Sequence, residues 1–271
     1  MTWTSDAPPP QVELRLRDWP RVIGRAGAIG VLIFGGLLLK LVLRAVERPL
    51  YGLRRPITPW ITQAVCRLTL QIMRLPLHVH GHPMRQRGAI VANHASWMDI
   101  FVLNAADRVF FVSKAEVADW PGIGWLARAT GTVFIRRDRR DATQQKLIFE
   151  ARLRAGHRLL FFPEGTSSDA QRILPFKSTL FAAFFAPELR DFLHVQPVSV
   201  TYQAPAGGDP RFYGWWGDMD FAGHLLRVLA QPKQGRVDLV FHAPIAVADM
   251  PDRKAMTTAA EAAVRAGFAP R

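Results

Sequence analysis

The chain has 271 residues, 49% of them hydrophobic and 10% aromatic, and its 35 Lys or Arg against 22 Asp or Glu give a formal net charge of +13. This composition is that of a globular protein; it excludes a disordered chain and a collagen, and the single cysteine, Cys66, excludes a disulfide scaffold. A basic balance of this size is typical of proteins that bind nucleic acid, an anionic membrane surface or a phosphorylated substrate. Residues 1–80 hold eleven Lys or Arg against four acidic residues, a balance of +7, so the charge is concentrated near the N-terminus.

The first predicted element is an apolar helix. Residues 26–39 contain no charged side chain, and the apolar run extends to residue 43 if Lys40 is tolerated. At about 1.5 Å per residue these lengths are roughly 21 and 27 Å, against a hydrocarbon core of about 30 Å. Arg25, Lys40 and Arg44 flank the run and are placed to reach lipid headgroups. The pattern predicts a segment that spans or dips into a bilayer; a buried core helix is the alternative.

A second helix is predicted after the break at Arg54-Arg55-Pro56. Apolar residues recur at helical spacing across residues 57–75, with polar residues between them. The apolar face of this amphipathic helix lies either in the bilayer interface or against the domain that follows. Residues 1–76 are therefore predicted to form a basic, membrane-anchoring helical region.

From residue 77 onward, strand-like runs alternate with helical patterns. The alternation predicts an α/β domain over residues 77–271, with a single mixed, largely parallel sheet flanked by helices. The predicted strands are 77–82, 88–92, 108–113, 132–136, 158–162, 194–202 and 236–242. The predicted helices are 96–106, 120–129, 138–155, 179–185, 218–230 and 253–266. Ligands of such folds sit at the carboxyl ends of the strands.

A histidine and an aspartate follow the strand 88–92. His94 lies at the carboxyl end of that strand, and Ser96 is suited to cap the next helix. Asp99, about one turn into that helix, can turn back toward the imidazole. A carboxylate behind a histidine fixes its tautomer and stabilises the imidazolium, which makes a general base at neutral pH. The spacing taken alone is weak evidence, since about 0.4 such pairs are expected by chance in this composition.

Two further strands end in polar groups. The strand 158–162 runs into Glu164, Gly165 and Thr166, a turn that offers main-chain N–H groups and hydroxyls to an anion. The strand 132–136 ends in Arg136 and Arg137, which are suited to bind a phosphate with paired hydrogen bonds. Strict alternation lets only one of these two arginines face the cleft.

These motifs resemble those of the glycerolipid acyltransferases that acylate lysophosphatidic acid. The chain matches NHx4D at Asn93, His94 and Asp99, and FPEGTxS at residues 162–168. It also matches GxxFIxR at residues 131–137 and a VxPV-like strand at residues 195–198, and the four motifs follow the family's order. The resemblance covers residues 77–271.

The resemblance implies that His94 is the catalytic base and Asp99 its orienting partner. It implies that Arg136 or Arg137, together with Glu164 and Gly165, binds the acceptor's glycerol phosphate; Thr166 belongs to the same motif. The expected reaction is transfer of a fatty acyl group from acyl-CoA or acyl carrier protein to lysophosphatidic acid, giving phosphatidic acid in phospholipid biosynthesis, with no other cofactor and no metal. Another lysolipid acceptor, such as lyso-ornithine lipid, is the alternative. The expected location is the cytoplasmic face of the inner or plasma membrane.

Other interpretations carry less weight. His78, His80 and His82 alternate along a predicted strand, but no carboxylate or cysteine completes a zinc site there. Nucleic-acid binding rests on the charge alone, because no recognition helix or aromatic platform accompanies it. A membrane-anchored basic binding protein is the non-enzyme alternative, and it leaves the coincidence of the NHx4D and FPEGT motifs unexplained.

Overall fold

The computed structural model describes residues 3–5, 8–10, 14–120, 122–135 and 142–270. The helices are α1 (Trp19–Tyr51), α2 (Thr58–Met73), α3 (Asp99–Ala106), α4 (Ile123–Thr130), α5 (Ala142–Arg154), α6 (Pro187–Arg190), α7 (Phe221–Ala230) and α8 (Arg253–Gly267). The strands are β1 (Leu77–His80), β2 (Gly88–Ala92), β3 (Phe110–Lys114), β4 (Val133–Ile135), β5 (Leu159–Phe161), β6 (His194–Gln203), β7 (Arg236–Phe241) and β8 (Ile245–Ala246). Short 3₁₀ helices lie at Leu16–Asp18, Ala115–Asp119 and Ser178–Phe185.

The strands form one mixed sheet in the order β1-β7-β6-β2-β5-β3-β4, with β8 paired to β6. Strands β2 to β6 all run in the same direction, whereas β7 and β8 are antiparallel to β6. The carboxyl ends of β2, β4, β5 and β6 therefore lie at one edge of the sheet. The predicted single, largely parallel sheet flanked by helices is confirmed.

Helices cover both faces of the sheet, because consecutive side chains of a strand point to opposite faces. On β2, Ile90 and Ala92 pack with residues of α2, α3 and α7, whereas Ala89 and Val91 pack with α5, α8 and the 3₁₀ helix at Ser178–Phe185. All five residues of β2 are buried. This central position fixes the strand that leads into the NHx4D motif.

Helix α1 reverses the usual arrangement of polar and apolar residues. Arg25, Lys40 and Glu47 face the protein and are only 8%, 4% and 2% exposed. Only 11% of the most apolar stretch of 18 residues in this helix is buried. The alternative of a buried core helix is therefore wrong. The exposed apolar side chains of α1 include Ile23, Val31, Phe34, Leu38, Leu39, Leu41, Val42, Val46 and Leu50. A helix that turns its charges inward and its apolar surface outward is suited to a lipid environment.

The sequence predicted that Arg25 and Lys40 of α1 reach outward to lipid headgroups. This prediction is wrong, because both side chains bond groups of the protein. Arg25 Nη1 donates hydrogen bonds to the carbonyls of Leu229 (2.8 Å) and Gln231 (2.7 Å) at the C-terminus of α7. Lys40 Nζ donates to Thr62 Oγ1 on α2 at 2.6 Å. The last carbonyls of a helix lack partners within it and attract a cation, which accounts for the inward position of Arg25.

The turn between α1 and α2 is closed by two charged side chains of α1. Arg44, which was also predicted to reach headgroups, donates to the carbonyl of Gly52 at 2.6 Å. The Glu47 carboxylate accepts from the main-chain N–H groups of Ile57 (2.6 Å) and Thr58 (3.1 Å). Glu47 thereby satisfies the free N–H groups at the start of α2 and ties the two helices together.

Helix α2 packs a different face on the domain from the one that its apolar periodicity indicated. Its buried residues include Gln63, Cys66, Leu70 and Met73, whereas Trp60 remains 55% exposed. Ile57, just before the helix, and Leu68 are also exposed, at 50% and 44%. Helix α2 thus also leaves apolar side chains exposed.

Several element bounds differ from the prediction. Helix α3 begins at Asp99, three residues later than predicted, because Ser96 does not cap it and belongs to the preceding loop. The segment predicted as a helix at 179–185 is a 3₁₀ helix, and the short elements α6 and β8 were not predicted. The remaining strands and helices lie within a few residues of their predicted positions.

Candidate active site

The loop after β2 brings His94 and Asp99 into contact at the carboxyl edge of the sheet. His94 Nδ1 lies 2.7 Å from Asp99 Oδ2. Asp99 is the first residue of α3, not one turn into the helix as predicted, and its carboxylate reaches back over the loop. There Oδ2 also accepts from the main-chain N–H groups of Ala95 (2.8 Å) and Ser96 (3.1 Å). Ser96 was predicted to cap the helix with its hydroxyl. Instead its main-chain N–H donates to the Asp99 carboxylate.

The imidazole of His94 is partly exposed. Its ring stacks on Phe162, with centroids 4.0 Å apart and an interplanar angle of 11°. The side chain of His94 keeps 21% of its surface exposed, whereas Asp99 is fully buried. With Nδ1 directed at the carboxylate, Nε2 is the nitrogen available to exchange a proton with a substrate.

Glu164 lies behind the main chain of His94. Its Oε1 accepts from His94 N at 2.6 Å, and its Oε2 accepts from Leu174 N at 2.6 Å. Burial raises the pKa of this carboxyl to about 8, although its two N–H donors act in the opposite direction. Both oxygens are occupied by the protein's own main chain, so Glu164 joins the loop after β5 to the loop after β2.

The rest of the FPEGTxS turn lies against the same loop. Ser168 N donates to the carbonyl of His94 at 2.9 Å. Gly165 has a φ of +72°, a left-handed conformation that suits glycine. Thr166 is half-buried, and its Oγ1 lies 3.4 Å from the main-chain nitrogen of Trp3. Of the predicted substrate-binding residues, Glu164 therefore contacts His94, and Gly165 and Thr166 follow it in the same turn.

Arg136 and Arg137 lie outside the described residues. Strand β4 is described as far as Ile135 and pairs in parallel with β3. The predicted phosphate contact of the two arginines stays a prediction.

The alternating histidines lie on the edge strand β1 and just beyond it. His78 Nδ1 is 3.4 Å from Asp238 Oδ1, and His80 is exposed. Within the described part of the chain, no three His, Cys, Asp or Glu side chains come together as a metal site would require.

Two contacts with β6 could not be read from the motifs. The side chain of Asn93 bonds both main-chain groups of Val200, with Nδ2 to O and Oδ1 to N each at 2.8 Å. The hydroxyl of Tyr202 donates to Asp99 Oδ1 at 2.6 Å. The alternation Val198, Val200, Tyr202 along β6 was the available signal, since it places Tyr202 on one face of a strand.

Comparison with known proteins identifies the family. Residues 76–201 match the model of the Acyltransferase family. The chain is 55% identical over 269 residues to a lyso-ornithine lipid O-acyltransferase of Rhodobacter capsulatus, covering 99% of this chain and 98% of the relative. It is 32% identical over 187 residues to a 1-acyl-sn-glycerol-3-phosphate acyltransferase of Neisseria meningitidis, covering 68% and 71% of the two chains.

The fold is also that of a solved structure. The 1-acyl-sn-glycerophosphate acyltransferase PlsC of Thermotoga maritima superposes with a TM-score of 0.65 over 93% of this chain and 95% of that chain, at 21% identity. Membership of this family excludes the non-enzyme alternative. The chain belongs to the acyltransferase family, with lysolipid acyltransferases among its relatives, and it is an enzyme that transfers acyl groups other than aminoacyl groups.

Proposed function

We propose that the chain transfers a fatty acyl group from an acyl thioester to the free hydroxyl of lyso-ornithine lipid. The observation that carries this acceptor is the 55% identity, over nearly the full length of both chains, to a protein named for that reaction. This acceptor was the alternative in the sequence analysis, and the comparisons favour it over lysophosphatidic acid.

The proposed chemistry follows from the contact between His94 and Asp99. His94 Nε2 removes the proton of the acceptor hydroxyl while that oxygen attacks the thioester carbonyl carbon. The tetrahedral oxyanion then collapses, the C–S bond breaks, and the imidazolium returns its proton to the leaving sulfur. The products are an ester and a free thiol. No acyl-enzyme is required, because the thioester is already activated.

The acceptor headgroup is proposed to lie between the turn after β5 and the strand end at β4. Arg136 or Arg137 would bind its anionic group, and Thr166 would add a hydroxyl from the turn that follows Glu164, whereas the Gly165 N–H already donates to the Phe162 carbonyl at 3.0 Å. Ornithine has a carboxylate where lysophosphatidic acid has a phosphate, and a guanidinium binds either oxyanion. Glu164, with both oxygens on main-chain N–H groups, is proposed to act through the position of His94.

Lysophosphatidic acid is the second candidate acceptor. It is supported by the similarity to the Neisseria meningitidis acyltransferase, which covers about two thirds of each chain. The acyl donor is proposed to be acyl-CoA or acyl carrier protein. Because these thioesters are made in the cytoplasm, we propose that the enzyme acts at the cytoplasmic face of the membrane, held there by the apolar surface of α1 and α2.

The decisive experiment incubates the purified, detergent-dispersed protein with each labelled acyl donor and a panel of lysolipids. We expect an acylated product with lyso-ornithine lipid at a kcat/KM at least tenfold above that with lysophosphatidic acid. A preference for lysophosphatidic acid would overturn the proposed acceptor while leaving the reaction class intact.

The same assay tests the proposed base. The variant His94→Ala should lose at least about a hundredfold in kcat, the lower range for loss of a general base. The control is His80→Ala, which removes an exposed imidazole on β1 and should leave turnover unchanged. Near-normal turnover by His94→Ala would exclude the mechanism.

A further inference from the structure

Asp99 is fully buried and accepts four hydrogen bonds. Three of them come from its own loop, from His94 Nδ1 and from the N–H groups of Ala95 and Ser96, and all three end on Oδ2. The fourth comes from Tyr202 and ends on Oδ1. A carboxylate has about four acceptor positions, two on each oxygen, so the three bonds crowd Oδ2 while Oδ1 depends on the single bond from Tyr202.

The donor on Oδ1 differs from the other three because it belongs to the sheet. Tyr202 lies on β6, 103 residues along the chain from Asp99, and is 1% exposed. Burial and the neighbouring carboxylate raise the pKa of Tyr202 well above its usual value, so the phenol keeps its proton and acts as a donor. The 2.6 Å distance is that of a charge-assisted O–H to carboxylate bond.

We propose that Tyr202 is a positioning residue of the dyad: its hydroxyl holds the Asp99 carboxylate in the orientation that fixes the tautomer of His94. This inference rests on the proposed function, in which His94 is the general base. The three loop donors move together with the loop and cannot fix its position relative to the sheet. Tyr202 can, because β6 is hydrogen-bonded to β2 on one side and to β7 on the other.

The role has a kinetic consequence distinct from simple stability. Without the hydroxyl, the buried Oδ1 loses its only donor among the described residues; the carboxylate keeps its contact with Nδ1 but is no longer held in a single orientation. Turnover depends on that alignment, whereas acceptor binding does not involve Tyr202. Loss of the hydroxyl should therefore lower kcat with little change in the acceptor KM.

Tyr213 provides a matched control. It is fully buried, and its ring centroid is 5.5 Å from that of Tyr202. Its hydroxyl donates to Gln234 Oε1 at 2.7 Å and accepts from Gly235 N at 2.8 Å, so it does not bond Asp99. Replacing either tyrosine by phenylalanine removes one buried, hydrogen-bonded hydroxyl, but only one of the two touches the dyad.

The pH profile gives a second readout. The titratable groups around the Asp99 carboxylate are His94, Tyr202 and Glu164, with Tyr213 behind Tyr202. Loss of the Tyr202 hydroxyl leaves more of the carboxylate's charge to stabilise the imidazolium, so the acid limb of kcat/KM should move to higher pH. Glu164 is unchanged in each variant and contributes equally to all profiles.

The experiment compares Tyr202→Phe, Tyr213→Phe and Asp99→Asn with the unmodified enzyme. We expect Tyr202→Phe to lower kcat about tenfold, a size typical for loss of one charge-assisted hydrogen bond, with the acceptor KM within about twofold. Tyr213→Phe should match it in loss of Tm and keep near-normal kcat. In the Asp99→Asn background, Tyr202→Phe should lower kcat by less than about twofold, since both changes act on one contact.

A variant with 3-fluorotyrosine at position 202 covers the case in which Tyr202→Phe does not fold. It keeps the shape of the side chain and makes the hydroxyl a stronger donor, so the acid limb should move to lower pH. Equal kcat losses in Tyr202→Phe and Tyr213→Phe, additivity with Asp99→Asn, or an acid limb that fluorotyrosine leaves in place would each overturn the role of Tyr202. If His94→Ala remained active, the proposed mechanism would fall as well, so the two failures are distinguishable.

Discussion

Glu164 contributes to the site through main-chain contacts. Its two oxygens bond N–H groups of His94 and Leu174, each at 2.6 Å, and the residue is 1% exposed. An acceptor headgroup would have to displace one of these bonds to reach the carboxylate. The residue is therefore better placed to hold His94 than to bind substrate directly.

The variant Glu164→Gln tests this placement. The amide can accept on one oxygen only, so its NH₂ faces one of the two N–H donors and that contact is lost. Above about pH 8, where the carboxyl is ionised and both oxygens accept, we expect kcat to fall about tenfold or more, with the acceptor KM within about threefold, in steady-state assays with varied acceptor. A rise in KM at normal kcat would instead support the direct substrate contact implied by the family resemblance.

The same variant should change how stability depends on pH. Burial raises the pKa of Glu164 to about 8 in the folded state, against 4.5 for the free side chain. A carboxyl whose pKa is raised on folding stabilises the fold most at low pH, and this contribution is lost between about pH 4.5 and pH 8. Thermal unfolding should therefore show the Tm of the unmodified protein falling over this range more steeply than that of Glu164→Gln. Parallel pH curves would show that the carboxyl is ionised throughout.

The residues of the dyad were predictable because they are close in sequence, whereas their support was not. Spacing and motif pointed to His94 and Asp99, and the distance of 2.7 Å joins them. Tyr202 is 103 residues further along, and its contact depends on the register of β6 against β2, which no local pattern encodes. The ionised or protonated state of Glu164 likewise depends on burial that arises only in the folded chain.

At the scale of elements, Asn93 continues the sheet where the main chain of β2 leaves it. The hydrogen-bonded ladder between β2 and β6 ends at the pair Ala92 and Val198. Val200 lies two residues further along β6. The Asn93 side chain continues the ladder there, donating to the carbonyl and accepting from the N–H of Val200. An amide side chain can do this because it has the same donor and acceptor as a peptide group. The loop that carries His94 thus starts from a fixed point.

Asn93→Asp should break this joint. A carboxylate keeps the acceptor but sets an oxygen against the Val200 carbonyl, which we expect to cost about 1–3 kcal/mol in the free energy of unfolding and to lower kcat. The control is Asn104→Asp on α3, where Nδ2 bonds the Ile100 carbonyl at 3.1 Å within one helix. The two variants are compared by chemical denaturation, which gives the free energy of unfolding, and by turnover measured below the Tm of each variant. If kcat stays normal in Asn93→Asp, the joint does not position the dyad.

The elements themselves were largely predictable from periodicity. The limits of β2 agree with the prediction, because a short apolar run between polar residues marks a buried parallel strand. The start of α3 was misplaced, since Ser96 has the chemistry of a cap but the Asp99 side chain already bonds the loop N–H groups. The buried charges of α1 were missed for a related reason: Arg25 and Lys40 were predicted to reach lipid headgroups, while their partners lie on α7 and α2.

At the scale of the whole molecule, α1 packs against the domain along much of its length. It contacts α7 through Arg25 and α2 through Lys40 and Glu47, while its opposite side is apolar and exposed. A helix held in this way cannot cross a bilayer without carrying the domain with it. We therefore expect α1 to insert into one leaflet and not to form a complete span.

The double variant Phe34→Glu/Leu38→Glu tests this surface. These side chains are 60% and 66% exposed and four residues apart, so they share one face of α1. We expect the variant to leave membranes at roughly 1 M salt, which screens charge attraction but not apolar insertion, while the unmodified protein stays bound. Turnover on detergent-dispersed acceptor should be unchanged.

The control is Gln86→Glu/Thr258→Glu, which adds the same charge at exposed polar positions. It should remain in the membrane fraction at high salt. Release of both variants, or of neither, would argue against insertion through this face.

The long sequence separation between Asp99 and Tyr202 bears on how the protein is made. During synthesis, α1 leaves the ribosome first, and its apolar side can meet a bilayer while the sheet is still incomplete. The dyad gains its support from β6 only after a further 103 residues beyond Asp99 have been added. A nascent or truncated chain that ends before β6 can therefore reach the membrane while its dyad still lacks that support. On this order of events, we expect membrane association to precede activity.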